Sequence, residues 1–113
     1  MPDLSDEAAN DNDSAMNLDQ LWEHVRNRHA RLKEYSDDVP DFMNLLLLYL
    51  QEDMGNLASN RLKLRRMRAG RKGHATKEFQ AGLVAVVGMA LVALLESAGE
   101  EAPELFRSEL RWR

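Results

Sequence analysis

The chain has 113 residues, a net charge of −4, 30% charged and 44% hydrophobic residues, and no cysteine. That length suits one domain, and the missing cysteines exclude disulfides and thiolate chemistry, which points to a reducing, cytoplasmic setting. The charge is unevenly placed: Met1 to Ala15 holds five acids and no base, and Arg61 to Lys72 holds seven bases and no acid.

Residues 1–15 are rich in Asp, Asn, Ser and Ala, with little apolar surface to bury. They are expected to be a disordered acidic tail that serves solubility, ahead of a single helical domain over 16–113. An acidic start without an apolar core segment gives no secretory signal. Helix one is expected to open at Asn17, with Gln20 three residues on and Met16 able to staple to Leu21. Leu18, Leu21, Trp22, Val25, His29 and Leu32 then follow helical spacing, and the helix should end near Tyr35. His29 lies on that apolar stripe, where a hydrogen-bonded residue at the core edge is the ordinary reading and a ligand the rarer one.

Ser36 to Pro40 reads as a stop and restart, with Asp38 or Val39 capping helix two and Pro40 in its first turn. Helix two should run from about Asp41 to Met67. Asp53 and Asn60 interrupt its apolar face of Leu46, Tyr49, Leu57 and Leu64, and Gly55 suggests close packing or a bend. Heptads are too short-lived to predict a long coiled coil. Ala69-Gly70 and Gly73 form a loop, and helix three begins near Thr76 with Glu78 in its first turn.

From Ala81 to Leu95 helix three carries no charged side chain. A helix apolar all round belongs in a core or a membrane, and this run is short of the ~18–20 residues of a spanning helix. It is expected to be a central helix covered by other helices, including those of a second copy. The small-residue face Ala81, Ala85, Gly88 lets another backbone come close. Gly99 should stop it, and Pro103 should start a short last helix with Leu105, Phe106 and Leu110 on one side. No strand alternation appears. The fold expected is all-α, a compact bundle of about four helices, dimeric or larger, with no membrane partner.

No phosphate-binding loop, dinucleotide fingerprint or zinc-protease motif is present. One acidic constellation stands out: Glu52 and Asp53 inside helix two, and Glu78 on helix three, which should return antiparallel. Carboxylates from facing helices hold Mg²⁺ or Mn²⁺ in helical proteins, because hard cations take oxygen ligands. The plainer reading has Glu52 solvated and Glu78 complementing the helix dipole. The basic run, including Lys63, Arg65, Arg66, Arg71 and Lys72, wraps most of its helix. It reads as a solvated helix end, next as a phosphate-binding segment for a nucleotide, and last as a nucleic-acid contact, since no aromatics interleave with the charges.

The order of a short helix, a Leu-rich helix reaching an acidic-Gly segment, a basic loop, an apolar helix and a short basic tail resembles the MazG-like all-α nucleoside triphosphate pyrophosphohydrolases over about Leu18 to Arg113. Glu52-Asp53-Met54-Gly55-Asn56-Leu57 looks like the first acidic motif of that family, and Lys77-Glu78-Phe79-Gln80-Ala81 like the second. The resemblance implies a Mg²⁺ or Mn²⁺ site on Glu52, Asp53, Asn56 and Glu78, and hydrolysis of a nucleoside triphosphate to the monophosphate and pyrophosphate. Asn56 and Ala81 stand where the family carries acids, and fewer charges weaken divalent binding. The expected functions are a divergent pyrophosphohydrolase of reduced activity, an inactive helical oligomer that binds or regulates, or a small nucleic-acid-binding protein.

Overall fold

Asn17 opens helix α1 (Leu18–Tyr35) with a full capping box: its side chain accepts from the Gln20 amide at 2.8 Å, and the Gln20 side chain accepts from the Asn17 amide at 3.1 Å. The cap satisfies amide donors that the first turn leaves without helical partners. A computed structural model describes residues 17–112. The acidic stretch 1–15 and the staple on Met16 lie outside the described residues.

Helix α2 spans Phe42–Arg66, and its N-cap is Asp41, which accepts from the Asn44 amide at 3.1 Å. The expected caps at Asp38 and Val39 are therefore displaced. Proline drives the residue before it towards extended backbone, so the helix starts after Pro40. A 3-10 turn, Ala69–Arg71, then leads directly into α3 (Lys72–Ala98), four residues earlier than the expected start at Thr76. Glu78 thus lies in the second turn, where it complements the helix dipole less well. Gly99 ends α3 with φ +60, a left-handed conformation suited to glycine. A second 3-10 turn, Gly99–Glu101, joins it to α4 (Ala102–Trp112). The described residues are all helix and turn, without a strand. Because α4 follows α3 through one 3-10 turn, they form three continuous helical stretches in place of about four separate helices.

Helices α2 and α3 form an antiparallel hairpin, the most extensive packing in the chain. At ~1.5 Å per residue, 25 and 27 residues give arms of about 38 and 40 Å. Its seam uses Leu46, Leu50, Asp53, Leu57, Asn60 and Leu64 on α2, all buried or half-buried. On α3 it uses Ala75, Phe79, Gly82, Val86, Met89 and Ala93. These alternate in steps of three and four, a heptad pattern sustained further than the sequence suggested. Gly82 sets the register: an added Cβ would stand 3.1 Å from Leu57 Cδ1. Gly55 makes no close contact: α2 continues through it and nothing lies within 4 Å of its Cβ position.

Helix α1 crosses the end of the hairpin away from the loop. There Trp22, Val25, Leu46, Met89, Val92 and Leu95 form the core, with Leu46 and Val92 fully buried. Each such side chain contributes about 1.5–3 kcal/mol through burial. Trp22 meets Phe106 of α4 edge to face, with ring centroids 5.8 Å apart. His29 takes its expected place at the core edge: its Nε2 lies 3.0 Å from Glu96 Oε1, which also accepts from Lys33 Nζ at 3.3 Å. The His29 ring stands edge-on to Phe42 at 5.6 Å. This cluster ties α1 to both arms of the hairpin. Burial pushes the Glu96 carboxyl up, but the hydrogen bonds and charges of His29 and Lys33 outweigh it and hold the group below the usual carboxylate range.

Among the described residues nothing covers the opposite flank of the hairpin. Leu47, Met54 and Leu83 are exposed there, and by helical phase they share one side, away from α1. The helical run Ala69–Arg111 contains a segment long and apolar enough to cross a membrane by length and composition, and 22% of that segment is buried within the chain.

Candidate functional site at the hairpin tip

The tip of the hairpin is polar and open. Asn60 and Lys63 stand on the last turns of α2, with Met67 capping its end. Arg71, His74, Ala75 and Glu78 face them from the 3-10 turn and the start of α3. Together they line a cleft of about 350 Å³. Inside it His74 Nε2 lies 2.9 Å from Glu78 Oε1, one helical turn apart, and both side chains are mostly exposed. Such a pair contributes little to stability. The cleft therefore presents Lys63, Arg71 and His74 against a single carboxylate.

Of the five expected phosphate-binding residues, the structure brings Lys63 and Arg71 into this cleft. Arg65 and Arg66 turn to another side of α2, where they shape a separate hollow of about 290 Å³ with Leu62. Lys72 is exposed at the start of α3.

The four expected metal ligands are placed differently. Glu78 is in the cleft, beside His74. Glu52 and Asn56 are exposed. They continue the Asn60–Lys63 stripe towards the start of α2, about 12 Å and 6 Å along the axis from Asn60. Asp53 is half-buried in the seam. A polar group at such a position fixes helix register at some loss of stability. Among the described residues no three His, Asp or Glu side chains stand together as a metal-holding group. Mg²⁺ demands a near-octahedral set of oxygens at ~2.0–2.1 Å. The donors present here do not fit it, and Ala81 supplies none.

Two polar residues of the cleft, His74 and Asn60, were not named as site residues from the sequence. His74 carried a usable signal in its i, i+4 spacing to Glu78. Asn60 was visible only as a break in the apolar face. Comparison with protein-family models, with curated proteins and with solved structures finds no match to this chain.

Proposed function

We propose that this chain is a divergent MazG-like helical protein that holds the phosphates of a nucleotide in the tip cleft and works as a binding protein. The observation that carries the reading is the convergence of Lys63, Arg71 and His74 on one cleft of about 350 Å³. Guanidinium and ammonium groups facing a shared hollow suit a polyphosphate, whose oxygens accept charge-assisted hydrogen bonds. The volume sits at the lower end of the ~300–1,000 Å³ of ligand pockets, enough for the phosphates. The depleted acidic set argues against efficient metal-dependent turnover. The exposed flank of Leu47, Met54 and Leu83 supports a homodimer or higher homo-oligomer, and a nucleotide ligand suits a cytoplasmic protein.

Calorimetric titration with tripolyphosphate and with a non-hydrolysable nucleoside triphosphate tests the reading. Binding should be present without added metal, fall with rising salt, and disappear in the Lys63→Ala, Arg71→Ala double variant. Binding unchanged in that variant, or no binding at low salt, would refute it.

A second reading, a working pyrophosphohydrolase, draws support from the Glu52–Asn56–Asn60–Lys63 stripe that runs into the cleft. It requires that pyrophosphate release with Mg²⁺ or Mn²⁺ be measurable and that Glu52→Gln and Glu78→Gln each abolish it. Turnover at background level in the unaltered protein rejects it and leaves the binding reading standing.

A further inference from the structure

A second cleft, of about 270 Å³, lies between α1 and α3 near the other end of the hairpin. Leu21 and Val25 line it from α1, and Val84, Val87 and Leu91 from α3. Among the described residues its only charged or titratable lining groups are the His24 ring and the Arg28 guanidinium. Arg28 is half-buried and lies across Gly88: a Cβ added there would stand 3.0 Å from Arg28 Nη1. Glycine at this position thus gives the guanidinium room to rest against α3.

Three other basic side chains of α1 have acidic partners. Arg26 pairs with Glu100 at 3.6 Å, and His29 and Lys33 share Glu96. Among the described residues Arg28 has no carboxylate within the 4.0 Å of an ion pair. A cation partly withdrawn from water without a counter-charge favours an anion supplied from outside. Apolar walls beside it favour a hydrocarbon attached to that anion.

We infer that this cleft binds a single-chain amphiphilic anion, a short alkyl carboxylate whose chain lies along Val84, Val87 and Leu91 and whose head group meets Arg28. The guanidinium fork matches a carboxylate bidentately, which a neutral or cationic head cannot reproduce. The cleft is slightly smaller than the ~300–1,000 Å³ usual for ligand pockets, so the tail is a short chain and not a sterol or a nucleotide. The site is separate from the phosphate cleft at the tip and does not depend on what binds there. It is also separate from the uncovered flank of the hairpin, which faces away from α1.

The test follows amide signals of the isotope-labelled full chain while hexanoate, octanoate and decanoate are titrated in, with octanol and octylammonium as controls. The expected result is movement at Leu21, Val84 and Gly88, with affinity rising about fourfold per added methylene until the cleft is full. Arg28→Gln should weaken octanoate about tenfold and leave octanol unaffected. Gly88→Ala, which crowds the guanidinium, should weaken octanoate as well; because Arg28→Gln alters a cleft-rim residue outside the core, it decides the matter even if the glycine variant folds poorly. Equal binding of octanoate and octylammonium would overturn the inference. So would unmoved signals at Leu21, Val84 and Gly88, or octanoate affinity that ignores Arg28→Gln.

Discussion

The two ends of the α2–α3 hairpin are built on different terms. At the base, α1 crosses the hairpin, Trp22, Leu46, Met89 and Val92 are buried, and Glu96, a carboxylate partly withdrawn from water, has two cationic partners. At the tip, Leu64 is the buried side chain of the α2 arm, the seam carries Asn60, and the cations face a cleft. Burial and paired charge make the base the source of stability. The tip contributes less to folding and keeps its charges available to a ligand. A site that must exchange ions with solvent benefits from this separation, because it can vary without unfolding the chain.

Substitutions can break or sharpen that contrast. The largest expected effect is at the base: Trp22→Ala should cost about 3–5 kcal/mol of stability through lost burial and the cavity left behind, read as a fall in the urea midpoint. A value under about 1 kcal/mol would show that the base is not the stability centre.

Glu96→Gln comes next, with an expected cost of about 1–3 kcal/mol at neutral pH for hydrogen bonds to a charged group. The sign of its pH dependence follows from the lowered Glu96 value. A depressed folded-state carboxylate stabilises the fold above its unfolded value, and that stability is lost as pH falls through the folded value. The difference between the unaltered protein and Glu96→Gln should therefore hold at neutral pH and close below the ordinary value of 4.5. A difference that widens on acidification would contradict the account of this cluster.

Gly55→Ala should stabilise by about 0.5–1 kcal/mol, since a mid-helix glycine costs backbone entropy. Its Cβ would meet nothing within 4 Å. Destabilisation would reveal a close partner on that face in the assembled protein. The smallest effect on folding is expected at the tip, where Lys63→Ala with Arg71→Ala should change stability by no more than about 0.5 kcal/mol while removing polyphosphate binding.

Much of the fold was legible wherever local chemistry decides it. The Asn17–Gln20 box, the Gly99 stop and the apolar stripe through Trp22 and Val25 each depend on residues a few positions apart. Asp53 and Asn60 were visible as breaks in an apolar face, and the structure places both in the seam. The start of α3 was misplaced because Gly70 and Gly73 read as a loop, although a 3-10 turn carries the chain through Gly70 and α3 already contains Gly73. The N-cap of α2 was misplaced because three acids, Asp37, Asp38 and Asp41, flank Pro40, and only Asp41 has the geometry to accept from Asn44. Glu96 as the partner of His29 had no local signal, since 67 residues separate them.

The candidate site was legible in part. Lys63, Arg71 and Glu78 were named for their charge, and they share a cleft because the hairpin loop folds their helical stripes together. Arg65 and Arg66 were named on the same ground, but helical phase sends them elsewhere. Charge density along a sequence does not distinguish one side of a helix from another. Glu52 and Glu78 were linked by resemblance to a two-motif pattern, and their separation along the arms follows from the register that Leu57 and Gly82 impose.

The central claim is that the tip of the hairpin, and no other part of the chain, is the phosphate site. The most direct measurement is a map of amide shift changes on titration of the labelled protein with tripolyphosphate at low salt. The account predicts changes confined to residues around Asn60, Lys63, Arg71, His74 and Glu78, with α1 silent and the response absent in the Lys63→Ala, Arg71→Ala variant. Changes centred on Arg65 and Arg66 or on α1, or a response that survives the double substitution, would contradict it.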